Sequence, residues 1–160
     1  MRPRNRARVF ASDGTLRAVF EKQGLTPSEK LWFVSGPREW PRSFTLGSLR
    51  FGVLFCDELN QGVNRFVREP VDALLWPGYW GHEDSLYWPG AGAHEAHDKI
   101  RACAKAVNAP LLQANFRRPE ENPARQNVVV MGGSLAVAPD GSLLHPFEPH
   151  RREPLLVTCP

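Results

Sequence analysis

The sequence contains few cysteines, and none of them has a spacing typical of a structural site. Only three of the 160 residues are cysteine, Cys56, Cys103 and Cys159, and no pair has the C-x-x-C spacing. An odd number of widely separated cysteines predicts neither a disulfide framework nor a zinc ribbon. Reduced thiols are typical of cytoplasmic proteins, so we expect a cytoplasmic location and no metal site.

Long apolar segments are also absent. No apolar run approaches the roughly 20 residues that a membrane-spanning helix needs, and the basic N-terminus lacks the apolar stretch of a signal peptide. The hydrophobic fraction of 42% and the charged fraction of 23% are those of an ordinary globular domain. We therefore predict one domain over residues 1–160, with no membrane partner.

Positive charge is concentrated in the first third of the chain. Residues 1–50 carry ten Lys or Arg and four Asp or Glu, whereas residues 51–160 carry ten and thirteen. A basic arm can bind phosphate, but neither a zinc-finger spacing nor a glycine-aromatic RNA motif accompanies this one. We therefore expect residues 1–7 to be a disordered basic end, and we expect no nucleic-acid partner.

Turn-forming residues predict two β-hairpins before the middle of the chain. Asp13-Gly14 joins two β-prone runs within residues 8–20, and Gly47-Ser48 joins two more within residues 44–55. The second arm of the later hairpin, residues 49–55, is almost wholly apolar. Such an arm predicts a strand that is buried on both faces.

Helical and β-prone segments alternate from residue 49 to residue 114. The predicted order is strand 49–55, helix 57–68, strand 72–76, helix 91–108 and strand 111–114. Short strands are also predicted at 134–138, 142–144 and 155–159. Helices that connect consecutive strands in this way join parallel strands, so we predict an α/β fold in which the flanking hairpins extend the sheet.

Cys56 follows the apolar strand directly and precedes the first predicted helix. Nucleophiles and ligands of α/β proteins gather at this edge of a sheet, and a helix N-terminus favours a thiolate and could hold an oxyanion. The adjacent acidic pair Asp57-Glu58 would raise the thiol pKa unless a cation lies nearby. On position alone, a buried structural cysteine is a more common outcome than a nucleophile.

Two further groups of residues are candidates for a substrate pocket and a metal site, but ordinary packing would also explain each of them. Tyr79 and Trp80 belong to the aromatic and glycine-rich segment 78–90, which suits either a substrate pocket or local packing. His94 and His97 share one helix face, where a metal could bridge them. Because the second histidine of H-E-x-x-H is missing, we predict packing there and expect no cofactor.

Four segments resemble, in order, the motifs of the nitrilase superfamily, the carbon–nitrogen hydrolases. FEKQGLTPSE at residues 20–29 is similar to the family's catalytic-lysine segment, and LRFGVLFCDEL at residues 49–59 is similar to the segment around its nucleophilic cysteine. DALLWP at residues 72–77 resembles the strand after the nucleophile, and GGSLAVAPDG at residues 132–141 resembles the C-terminal pattern. The resemblance implies the C-terminal part of an α-β-β-α sandwich with a mixed sheet.

The resemblance implies hydrolysis of an amide, nitrile or carbamoyl C–N bond through a thioester or thioimidate intermediate. It implies that Cys56 is the nucleophile, that Lys22 stabilises the oxyanion together with the backbone N–H of Asp57, and that Glu29 is an additional active-site glutamate. Lys30 is the competing lysine, but the aromatic and Leu-x-Pro context belongs to Lys22. The resemblance also implies a small-molecule amide or nitrile substrate, no cofactor and a homo-oligomer.

The family pattern begins further upstream than this sequence does. The family places its general-base glutamate well before the lysine, and only 21 residues precede Lys22. The resemblance thus implies an N-terminally incomplete domain, and loss of the base would be severe because general acid–base catalysis contributes about 10²–10⁴-fold. One alternative is a catalytically inactive remnant of the fold that acts only through association. Another is a different cysteine hydrolase, such as a thioesterase, with His82 or His145 as the base.

Overall fold

The computed structural model describes residues 2–38, 42–78, 81–83, 91–114, 128–130 and 134–145. The strands in these ranges are β1 (Arg6–Phe10), β2 (Leu16–Glu21), β3 (Ser43–Leu46), β4 (Leu49–Val53), β5 (Ala73–Pro77), β6 (Gly81–Glu83), β7 (Leu111–Ala114), β8 (Val128–Val130) and β9 (Leu135–Val137). The α-helices are α1 (Leu59–Arg68) and α2 (Ala91–Val107), and two 3-10 turns span Glu29–Leu31 and Cys56–Glu58.

A five-stranded sheet in the order β3-β4-β5-β7-β9 forms the centre of the fold. β4, β5 and β7 are parallel, whereas β3 and β9 pair antiparallel at the two edges. The short strands β6 and β8 pair with each other outside this sheet. α1 connects β4 to β5, and α2 lies between β5 and β7 in the chain. The predicted mixed α/β architecture with crossover helices is therefore confirmed.

Both helices pack on one face of the five-stranded sheet. Phe66 of α1 and Ile100 of α2 share a buried cluster with Leu74 and Leu111 of the central strands. Gly52 of β4 permits this close packing, because a Cβ there would lie 2.7 Å from side-chain atoms of Leu74 and Phe66. Truncation of a buried ring such as Phe66 typically costs about 3–5 kcal/mol, so this core is a main source of stability.

The β1–β2 hairpin packs on the opposite face of the sheet. Strand alternation places Leu54 in the helix-side core and Val53 on the other side, where it meets Phe20 and Phe55. Phe20 also packs against Phe44, with ring centroids 5.8 Å apart. The prediction that this hairpin extends the sheet is wrong, because it contacts the sheet through its apolar side chains and forms a separate two-stranded sheet.

Three residues of the basic N-terminal segment contact the β1–β2 hairpin. Arg4 and Arg6 both donate to the carboxylate of Glu21, which is 2% exposed, and the Arg6 contact measures 2.7 Å. The backbone carbonyl of Asn5 accepts the N–H of Lys22 at 2.9 Å. A buried carboxylate needs paired cations, so the burial of Glu21 explains its pairing with Arg4 and Arg6.

The apolar arm 49–55 is buried only in its second half. Leu49 lies 45% exposed at the hairpin tip, whereas the residues from Gly52 to Phe55 are buried. The prediction of a strand buried along its whole length on both faces is therefore wrong for its first residues. β5 pairs only with residues 51–53 of β4, so Leu49 lies outside this pairing.

Of the predicted strands 134–138 and 142–144, the first forms as β9 and the second is reduced to a single bridge residue, Leu143. β9 is followed by the turn at Asp140-Gly141, and Val137 bridges to Leu143 across it. Gly141 has φ +82°, a conformation that favours glycine. The predicted strand 155–159 lies outside the described residues. Across the ranges that are described, we find no helical segment whose length and hydropathy would let it span a bilayer.

Candidate active site

Cys56 lies at the turn between the end of β4 and α1. It is the first residue of a 3-10 turn, is partly buried, and has φ +42°, which is uncommon for a residue with a side chain. Such local strain persists where the surrounding structure holds it, and it is often found at functional sites. The predicted position at a strand-to-helix turn is therefore confirmed.

A buried tryptophan holds the backbone of this turn. The indole N–H of Trp76, at the C-terminal end of β5, donates to the carbonyl oxygen of Cys56 at 2.8 Å. Next to it, the N–H of Leu54 donates to the carbonyl of Leu75 at 3.0 Å, which ties the end of β4 to β5. The turn of Cys56 is thus fixed by its neighbouring parallel strand.

Cys56 lines an open cavity of about 900 Å³. Glu29 lines the same cavity and is the one carboxylate among the described residues that do so. The aromatic side chains Trp32, Phe33 and Phe55 supply much of its apolar wall. The other lining residues are Asn5, Arg6, Ala7, Thr26, Ser28, Pro77, Gly78 and Ala114. The fold therefore brings two of the three predicted catalytic residues to one cavity.

The third, Lys22, joins this site through Glu29. Its ammonium donates to both carboxylate oxygens of Glu29, at 2.7 Å each, and the Lys22 side chain is fully buried. The competing lysine, Lys30, is exposed. The contrast in burial favours Lys22, the lysine that the sequence pattern selected.

Glu29 is held as a carboxylate by its hydrogen bonds. Burial of the side chain disfavours the charged form, but the hydrogen bonds from Lys22 and from the Thr26 N–H outweigh it, so the pKa of Glu29 is lowered. The Thr26 N–H donates at 2.9 Å. A carboxylate with a lowered pKa accepts hydrogen bonds well but is a weak base.

A second buried carboxylate, Glu58, ties the lysine segment to the cysteine turn. Its Oε1 accepts the N–H groups of Gln23 and Gly24 at 2.6 and 3.0 Å and the Arg42 guanidinium at 2.7 Å. Its Oε2 accepts the N–H of Phe55 at 3.0 Å. Glu58 therefore connects the residue after the predicted lysine to the residue before the predicted nucleophile.

Sequence reasoning missed this role of Glu58. It treated Asp57-Glu58 as an acidic pair that would raise the thiol pKa unless a cation lay nearby. In the structure, Glu58 is instead paired with Arg42, which is buried against it. The signal was weak in the sequence, since Arg42 lies 16 residues upstream in a polar segment that carries no motif.

The remaining candidates are less informative. The backbone of Asp57 belongs to the 3-10 turn, but its side chain is not among those described, and Tyr79 and Trp80 lie outside the described residues. His145 is not among the described residues that line the cavity, and the side chain of His82 lies outside those described. Within the described part of the chain, no group of His, Cys, Asp and Glu could hold a metal ion.

Comparison with solved structures identifies the fold. A carbon–nitrogen hydrolase from Helicobacter pylori G27 superposes with a TM-score of 0.75 at 20% sequence identity, covering 88% of this chain and 51% of that protein. An amidase from Nesterenkonia, of the nitrilase superfamily, gives 0.69 at 22% identity, covering 88% and 49%. A branch 10 member of the superfamily from Saccharomyces cerevisiae gives 0.68 at 19% identity, covering 88% and 48%.

A variant of the Nesterenkonia amidase that carries acrylamide on its active-site cysteine gives a TM-score of 0.66 at 25% identity, covering 87% of this chain and 50% of that one. The chain thus has the nitrilase-superfamily fold and spans about half the length of these structures. The sequence matches no family profile and no curated protein.

Proposed function

We propose that this chain, which has the nitrilase-superfamily fold, acts on a non-peptide C–N bond of an amide, nitrile or carbamoyl compound through a cysteine-linked intermediate. The observation that carries the proposal is that Cys56, at a strained turn, shares one cavity with Glu29, which is paired with the buried Lys22. The similarity to the Nesterenkonia amidase supports this reaction class.

In the proposed reaction with an amide, the thiolate of Cys56 attacks the carbonyl carbon and forms a tetrahedral oxyanion. Lys22 and the backbone N–H of Asp57 stabilise the oxyanion. Collapse breaks the C–N bond while the nitrogen takes up a proton from solvent, which expels the amine or ammonia and leaves a thioester. Water then attacks the thioester, which releases the acid and restores the thiol. The substrate is a small molecule, no cofactor takes part, and the protein acts in the cytoplasm as a homo-oligomer.

Glu29 has two uses in this scheme. As a carboxylate it fixes the ammonium of Lys22. It is also the described lining carboxylate that can take a proton from water during deacylation. Because the pKa of Glu29 is lowered, we expect its carboxylate to be a poor general base for the attacking water. Deacylation is therefore the step that limits turnover.

The experiment measures acylation and turnover separately. The 160-residue chain is incubated with a panel of amides and nitriles, while ammonia release is followed and adducts are located by mass spectrometry. We expect an acyl or thioimidate adduct on Cys56, with about one equivalent of ammonia per chain for amides and little turnover. Cys56→Ala abolishes the adduct, whereas the matched variant Cys103→Ala keeps it. If Cys56 gains no adduct from any compound, the proposal is wrong.

The alternative function, association without catalysis, rests on a different observation. A second open cavity of about 570 Å³ lies between the β1–β2 hairpin and the five-stranded sheet, and its walls are mostly apolar. Leu75, Leu112 and Ala136 face it. Apolar surface of this kind favours contact with another polypeptide.

The alternative predicts that a charge on this face prevents association. Leu112→Glu lowers the apparent mass in sedimentation, whereas Leu46→Glu, at an exposed hairpin tip, does not. Association that depends on Leu112, together with no adduct on Cys56, would favour this alternative over the hydrolase. A monomeric wild-type chain would exclude it.

A further inference from the structure

Trp76 makes a contact that the packing of its ring does not require. Its indole is 3% exposed and belongs to the helix-side core, where any large apolar side chain would serve for packing. The ring nitrogen nevertheless donates across the chain to the carbonyl of Cys56 at 2.8 Å. A buried indole N–H needs an acceptor, and here the acceptor is the backbone of the proposed nucleophile.

The bond acts on a peptide unit that matters for the proposed chemistry. The carbonyl of Cys56 and the N–H of Asp57 belong to the same planar peptide, so the direction of one fixes the direction of the other. In a trans peptide the two groups point to opposite sides. Anchoring the Cys56 oxygen on Trp76 therefore turns the Asp57 N–H away from β5.

Two further effects follow from the same bond. Cys56 has φ +42°, so without an anchor this peptide would tend to relax toward a more common conformation and rotate the N–H with it. A donor at the carbonyl also polarises the peptide and strengthens the N–H as a hydrogen-bond donor. Both effects improve the N–H as a preorganised partner for negative charge.

We propose that Trp76 is a positioning residue for the oxyanion site, because its indole N–H holds the Cys56 carbonyl and thereby aims and polarises the Asp57 N–H. This inference rests on the proposed function, since it assumes that Cys56 is acylated. It assigns no contact between Trp76 and the substrate.

The test compares two electrophiles at the same thiol. p-Nitrophenyl acetate reacts through a tetrahedral oxyanion and transfers its acetyl group to sulfur with release of nitrophenolate. Iodoacetamide alkylates sulfur by direct displacement of iodide and develops no oxyanion. Trp76 is replaced site-specifically by 3-benzothienylalanine, an isostere in which sulfur takes the place of the ring N–H. Trp76→Phe is the genetically simpler second variant.

We expect the isostere to slow acetylation of Cys56 about tenfold, while alkylation by iodoacetamide stays within about twofold of wild type. Equal slowing of both reactions would show that Trp76 only maintains the fold of the turn, and no change in either would show that the bond is irrelevant. Either result overturns the inference and leaves the proposed function standing. If the wild-type Cys56 is acetylated no faster than Cys103, the proposed function fails and this inference fails with it.

Discussion

Lys22 and Glu29 form an ion pair in which both carboxylate oxygens accept hydrogen bonds from one ammonium, each at 2.7 Å. The lysine side chain is fully buried, whereas the glutamate keeps 23% of its side-chain surface exposed beside the cavity of Cys56. Within this pair, Glu29 is the member that lines the cavity, and its carboxylate fixes the ammonium of Lys22.

Replacement of Lys22 by methionine should impair both stability and acylation. Lys22→Met leaves Glu29 without its cation, and removing one partner of a buried pair costs about 3–5 kcal/mol. Because Glu29 is partly exposed and keeps the Thr26 N–H, we expect a cost at or below the lower end of that range. Urea unfolding measures the stability, and Cys56 acetylation measures the chemistry.

The control for this variant is Lys30→Met, because Lys30 is an exposed lysine of the same segment. We expect its free energy of unfolding to change by less than about 0.5 kcal/mol and its acetylation rate to equal that of wild type. Comparable losses in the two lysine variants would contradict the assignment of Lys22 to the site.

Stability should fall as the pH drops below the ordinary glutamate pKa. The folded-state pKa values of Glu29 and Glu21 are both lowered, since hydrogen bonds from their cationic partners outweigh the opposing effect of burial. Unfolded chains then bind more protons than folded ones below about pH 4.5, so this contribution is complete above that pH and is lost as pH falls through the folded-state pKa values.

Urea midpoints between pH 3 and pH 7 test this expectation. We expect a plateau at neutral pH and a decline in acid, with a shallower decline in Glu29→Gln because that variant has one lowered carboxyl group fewer. If the urea midpoint of Glu29→Gln falls in acid as steeply as that of wild type, Glu29 does not contribute to the pH dependence of stability.

Replacement of Glu58 by glutamine should loosen the connection between the lysine segment and the cysteine turn. Glu58→Gln keeps the shape but removes the charge that faces Arg42, so the buried guanidinium loses its counter-ion. We expect a loss of roughly 3 kcal/mol in unfolding free energy, together with slower acetylation of Cys56.

Glu69→Gln is the matched control for Glu58→Gln. Glu69 also pairs with arginines, Arg50 and Arg65, but these contacts of 3.6 and 3.4 Å lie at the surface. Exposed pairs contribute about 0–1 kcal/mol, so the control should remain close to wild type. If the two glutamate variants lose the same stability, Glu58 is not the connection that its hydrogen bonds indicate.

The two described thiols should differ in reactivity. Burial raises the pKa of Cys103, which lies 3.8 Å from the carbonyl of Leu59, so little thiolate forms there at neutral pH. Cys56 lines an open cavity at the start of a helical turn. We expect iodoacetamide to label Cys56 faster than Cys103 in the folded chain, as read by mass spectrometry. Equal rates would remove the argument that Cys56 is activated.

Helical and β-prone segments alternate over residues 49–114, and this pattern was sufficient to predict that β4, β5 and β7 are parallel. It also predicted that Cys56 lies between a strand and a helix. Local sequence pattern determines these features, because apolar side chains recur with a different period in a helix than in a strand. A helix that connects two neighbouring strands of one sheet makes those strands parallel. The turn at Asp140-Gly141 is equally local, since it depends on a backbone conformation that glycine adopts without strain.

Only the tertiary structure decided which charges are buried and what pairs with them. Arg42 and Glu58 are separated by 16 residues, Glu58 and Gln23 by 35, and Trp76 and Cys56 by 20. From the sequence alone, each of these polar groups could equally be exposed to solvent. The spacing of apolar residues does not show which arginine becomes buried. Their pairing follows from layer packing, because a polar group enclosed between strands is costly unless a partner from another element meets it. The pairing of Arg4 and Arg6 with Glu21 has the same origin. The sequence contains the three charged residues, but Glu21 becomes buried, and so needs these cations, only when the hairpin packs on the sheet.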